Sequence, residues 1–119
     1  MLFTVYMVIG NVGQLILTPE EKLDAIGTRL RRQVLLALYL RDPTDDDPVN
    51  ARAITDSDSL DSVTLYHTEL PKLNKYGLVD WERETGTLSR GPDFETITPL
   101  LTVLYDHQSE LPANWFDSE

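Results

Sequence analysis

The sequence predicts a mainly α-helical domain with a small β-hairpin, preceded by an extended N-terminal segment and followed by a C-terminal helix. Three observations lead there. Leu30, Val34, Leu35 and Leu38, then Tyr66, Leu70 and Leu73, then Leu100, Leu101 and Leu104 recur at helical spacing. A hydroxyl residue followed by proline, the signature of a helix start, stands at Thr18–Pro19 and again at Thr98–Pro99. Directly after Gly77 the apolar period changes from helical to strand-like. With 119 residues the chain holds one core and not two. It divides into an apolar N-terminal extension (1–17), a central domain (18–92) and a C-terminal helix with an acidic tail (93–119).

Met1 to Leu17 carries no charged residue, yet it lacks the basic start of a signal peptide, and its Gly, Asn and Gln residues interrupt the apolar run a membrane span needs. Phe3 to Ile9 is β-branched and aromatic, which favours an extended segment laid over a hydrophobic surface. The alternative is an over-extended start, with Met7 as the true beginning. Thr18, Pro19 and Glu21 then form a capping box, and Gly27 closes the first helix. A second helix runs from Thr28 to about Leu40, with Arg29, Arg31 and Arg32 crowded at its start, where the helix dipole disfavours cations. They are either solvated or turned toward an anion.

Arg41 to Asn50 is a loop with two prolines and three consecutive aspartates, and Ala51 to Thr55 leaves room for a short helical turn. Neither Asp45, Asp46 and Asp47 nor Asp56, Asp58 and Asp61 follow a calcium-loop pattern, so they are expected to be hydrated surface acid. The next helix spans 62–76, capped by Asp61 or Ser62, ended by Gly77, and kinked or split by Pro71. Tyr66, Leu70 and Leu73 are expected to face the core, leaving Thr64, Leu65, His67, Thr68 and Lys72 outward. Leu78 to Trp81 and Thr87 to Arg90 form the hairpin around a Glu84–Thr85–Gly86 turn. In the last helix, Thr98 to His107, Leu100, Leu101, Leu104 and Leu111 give an apolar stripe, and Trp115 and Phe116 beyond it are expected to dock.

Twenty Asp and Glu against ten Lys and Arg give a net charge of −10, so the chain as a whole repels nucleic acid and anionic lipid. The charge is uneven: +2 over 1–41, −6 over 42–61, 0 over 62–92 and −6 over 93–119. Few lysines among many aspartates suit a cytoplasmic protein kept soluble in molar salt, where the Debye length falls to about 3 Å. The absence of cysteine removes disulfides, thiolate metal sites and thiol catalysis. His67 and His107 make a weak pair of ligands, and no metal or cofactor is expected. The sequence has no glycine-rich phosphate loop, no GxSxG elbow and no HExxH pair, which points away from an enzyme.

Helix, short helix, longer helix and two-stranded hairpin is the order of a winged helix-turn-helix domain. Leu70, Leu73, Gly77, Leu78 and Val79 resemble the run that closes the recognition helix and enters the wing in ArsR-like regulators. HTELPKLNKYGLVDWERETGTL, with LTPEEKLDAIG and RRQVLLAL upstream, is similar to a haloarchaeal winged-helix family of unknown function, and the likeness covers about residues 16–92. It implies a transcriptional regulator that binds double-stranded DNA as a homodimer through its terminal elements. Helix 62–76 then enters the major groove, with Thr64, Leu65, His67 and Thr68 at base edges and Leu65 against a thymine methyl. Lys72 and Lys75, Arg83 and Arg90 from wing 78–90, and Arg31 and Arg32 from the earlier helix go to phosphates. Glu69 is the discordant residue, an acid on a helix expected to approach phosphates. The alternative function is a protein-interaction module that has lost DNA.

Overall fold

The structure is a computed structural model describing residues 17–41, 48–55, 59–113 and 115–116. Helix α1 (Pro19–Ala25) begins as its sequence dictates. Thr18 Oγ1 accepts from the Glu21 amide, Glu21 Oε1 accepts from the Thr18 amide, and Pro19 occupies the first turn, where its missing N–H costs nothing. Thr28 caps α2 (Arg29–Tyr39) through the Arg31 amide, and α2 buries Leu30, Val34, Leu35 and Leu38. A two-residue strand β1 (Val49–Asn50) and a 3₁₀ turn (Ala51–Ala53) follow, the turn capped by Asn50 Oδ1.

Helix α3 (60–75) has three parts: an α-helical start (Leu60–Thr64) capped by Ser59, a π turn (Leu65–Glu69) and an α-helical end (Leu70–Lys75). The π turn stands immediately before Pro71. A proline ring crowds the carbonyl four residues back and cannot donate to it, and the wider turn relieves both demands without breaking the helix. It also changes which side chains face inward. Leu65 and Leu70, five residues apart, are both fully buried because the Leu70 amide bonds the Leu65 carbonyl. A regular helix would set five-apart residues on different faces, so the expected outward position of Leu65 is corrected: it belongs to the core, and Tyr66 sits at the core's margin.

Gly77 then adopts φ +77°, a left-handed conformation that ends α3, and the chain enters β2 (Val79–Glu82). Strand β3 (Thr87–Arg90) returns after Gly86, at φ +78°. The sheet is antiparallel in the order β1-β3-β2, with Val49 opposite Leu88 and Trp81 opposite Leu88 on the other side. The β1 strand was not expected. Gly91 bonds back to the Leu78 carbonyl, and its Cα lies so close to the Gly77 carbonyl and the Val79 amide that a methyl group has no room.

Helix α4 (Thr98–Asp106) differs from expectation in its cap: Ile97 is the N-cap, and Thr98, inside the first turn, donates to the Glu95 carbonyl instead of capping. Leu101 is buried, and Leu100 and Leu104 pack at the core's edge. The core gathers α2, α3, Leu78, Val79, Leu88, Phe94 and Ile97. Among the described residues the architecture is thus four helices and a small three-stranded sheet, and no helix is long and apolar enough to cross a membrane. The N-terminal extension up to residue 16, Asp45, Asp46, Asp47, Asp56 and Asp58 lie outside the described residues.

Candidate functional site

The exposed side of α3 is built by what its partners remove from it. Residues 60–75 contain two acids, Asp61 and Glu69, and each is held by an arginine of α2. Arg29 Nη2 donates to Asp61 Oδ2 at 2.9 Å. Arg31 Nη1 donates to Glu69 Oε1, while Arg31 Nε bonds the Asp24 carbonyl at 3.0 Å. Both Arg31 and Glu69 are buried. Glu69 therefore turns inward at the end of the π turn and does not approach the surface as expected.

Four further expected contacts are corrected or qualified by the same accounting. Arg31 is enclosed. Arg32 donates to the Trp115 and Ile26 carbonyls, each at 2.8 Å, and its guanidinium lies 4.0 Å over the Trp115 ring. Burial, reinforced by the positive Arg29 and Arg31, lowers its pKa. Arg90 donates to the Leu38 and Tyr39 carbonyls at 3.0 Å, satisfying groups that the end of α2 leaves open, and lies over Phe94. Lys72 Nζ is 2.7 Å from Asp24 Oδ2, and Tyr76 Oη donates to the same oxygen at 2.6 Å. These two hydrogen bonds, Lys72 first, hold the Asp24 carboxyl below its ordinary range, and the same carboxylate raises the Tyr76 phenol.

Thr64, His67, Thr68 and Lys75 remain on α3, with no side-chain hydrogen bond or ion pair among the described residues; the last three are exposed and Thr64 is half-buried. Arg83 is exposed on the hairpin, 4.7 Å above Trp81. The hairpin is braced against α3 by Tyr66, whose ring meets Trp81 edge-on at 5.7 Å. It also exposes Asp80, Glu82 and Glu84. At the N-terminal end of α3, Leu60 and Val63 are exposed beside an open polar pocket lined by Arg29, Arg52, Ser59 and Asp61. Sequence reasoning missed Leu60, Val63 and the exposed Arg52, because an apolar residue reads as core and a single arginine after an acidic loop carries no pattern. Among the described residues no three His, Asp or Glu side chains converge on a metal position.

No protein-family model, curated protein or solved structure matches the chain.

Proposed function

We propose that this chain is a winged helix-turn-helix transcriptional regulator of the haloarchaeal type, working in the cytoplasm as a homodimer on double-stranded DNA. In this reading α3 enters the major groove and the β2–β3 hairpin lies along the backbone. The observation that carries it is the pairing of Asp61 and Glu69 with arginines of α2. In a chain of net charge −10, the helix face best shaped for DNA is left without a free carboxylate. A helix of about 10–12 Å diameter fits the roughly 12 Å major groove. The element order and the β1-β3-β2 sheet agree with the resemblance to ArsR-like regulators.

Thr64, His67 and Thr68 then meet base edges, Lys75 and Arg83 meet phosphates, and Lys72 joins them on leaving Asp24. Leu100, Val103 and Leu104 of α4 form the dimer contact, Val103 being 56% exposed. Dimerisation sets two α3 helices on half-sites about one helical turn apart.

Fluorescence anisotropy with duplex DNA over a salt series tests the reading. Lys75→Ala and Arg83→Ala should weaken binding to all sequences alike and each lower the salt slope by about one. His67→Ala with Thr68→Ala should flatten sequence preference. If the wild-type chain binds no duplex at any salt concentration, the proposal fails. The exposed Asp80, Glu82 and Glu84 of the hairpin favour a second reading, a protein-docking module without DNA.

A further inference from the structure

We propose that Leu60 and Val63 contact thymine methyl groups, so that the chain selects duplexes with thymine facing the N-terminal end of α3. This rests on the DNA-binding reading above and names the base that the site takes. Leu60 is 80% exposed and Val63 54% exposed, and they stand three residues apart in the α-helical start of α3, on one side of it. Thr64, four residues after Leu60, continues that side, and the exposed His67 follows in the π turn.

The surface is therefore mixed, with an aliphatic pair at the N-terminal end and hydrogen-bonding groups behind it. Leucine and valine side chains neither donate nor accept hydrogen bonds, so among the features of the major groove they are complementary to one, the C5 methyl of thymine. The described acid at this end of the helix is paired. Asp61, next to Leu60, is neutralised by Arg29 at 2.9 Å, and Arg29 and Arg52 line the adjoining pocket. Ser59 Oγ already accepts the Ser62 amide, so the helix end is satisfied and a ligand is not needed to cap it. The methyl contact that the sequence assigns to Leu65 is closed to that residue, which is fully buried, and passes to Leu60 and Val63, the exposed aliphatic side chains of α3.

The test enriches duplexes carrying a randomised centre on the full-length chain, then resynthesises the enriched duplexes with deoxyuridine in place of thymidine. That change removes the methyl and leaves base pairing intact. Each lost methyl contact should weaken wild-type binding about three- to fourfold. The Leu60→Ala, Val63→Ala double variant should bind both forms equally, and its exposed positions leave the fold intact. If enriched duplexes bind with no difference between the two forms, the methyl assignment is overturned while DNA binding stands. If no duplex is enriched, the DNA-binding reading falls and the assignment with it. If the double variant loses self-association in sedimentation, the pair is a contact between copies of this chain and the assignment is overturned.

Discussion

Arg31 and Glu69 lie 38 positions apart in the sequence and meet inside the protein, with 7% and 6% of their side chains exposed. The pair joins α2 to the middle of α3 at the residue where the π turn ends. Its role is to fix the rotation of α3, and it does so with two charges that neither side can release to solvent.

Removing one partner strands the other in a low-dielectric site. Glu69→Gln should therefore lower the unfolding free energy by about 3 kcal/mol, and Glu69→His, which puts a bulkier ring in place of the carboxylate beside Arg31, by more. The double replacement Arg31→Met, Glu69→Leu should lose less than Arg31→Met or Glu69→Leu made alone. Chemical denaturation of the four chains in one buffer decides this; additive losses would contradict it.

Asp24 gives the stability curve an acid limb. Its carboxyl is held below the ordinary value by Lys72 and Tyr76, so its contribution is fully present above the unfolded pKa near 3.8 and is lost as pH falls through the lower folded value. Tyr76 acts in the opposite range: its raised phenol contributes below about pH 10, and the contribution is lost as pH rises through the folded value. Asp24→Asn should flatten both limbs. Because the carboxylate is partly exposed, the effect at neutral pH is expected to be below about 1 kcal/mol.

Gly91→Ala places a methyl against the Gly77 carbonyl and the Val79 amide, which are backbone atoms and cannot swing aside. A loss of about 1–3 kcal/mol is expected, with the hairpin and the end of α3 displaced together. Amide exchange should accelerate in step at Gly91, whose N–H donates to the Leu78 carbonyl at 2.9 Å, and at Leu78, whose N–H donates to the Leu73 carbonyl at 3.1 Å.

Salt should stabilise the chain. Residues 42–61 and 93–119 each carry a net charge of −6, and their self-repulsion is screened at high ionic strength. A higher thermal midpoint in about 2 M KCl than in about 0.05 M is expected, and equal midpoints would remove the basis for the halophilic reading.

Val103→Glu should convert the proposed dimer to monomer in sedimentation at molar salt. Val103 contributes little to the core at 56% exposure, so far-UV dichroism should be unchanged.

Much of the fold was legible because its punctuation is local. Thr18, Pro19 and Glu21, the helix-ending Gly77 and the turn at Gly86 each act within a few residues of themselves, and all behave as their chemistry requires. The face of α3 was not legible for a physical reason. Tyr66, Leu70 and Leu73 satisfy the 3.6-residue period, and nothing local announces that a π turn substitutes Leu65 for Tyr66. The site suffered most from long-range pairing. Arg31, Arg32 and Arg90 look like surface cations until α3, Trp115 and the end of α2 supply their partners, 38, 83 and about 50 residues away. Strand β1 has two residues, too few to alternate, and exists because β3 offers it an edge.

The chain contains two tryptophans, and they occupy environments that differ in kind. Trp81 sits within β2, edge-on to Tyr66 with Arg83 above it, while Trp115 lies past α4 under Arg32, its carbonyl held by the same side chain. Fluorescence can therefore follow two parts of one small chain separately. With Trp81→Phe, the remaining emission reports only whether the C-terminal strap is seated on α2. With Trp115→Phe, it reports whether the hairpin still leans on α3. Comparing the two decay curves during unfolding gives the order in which strap and hairpin come away.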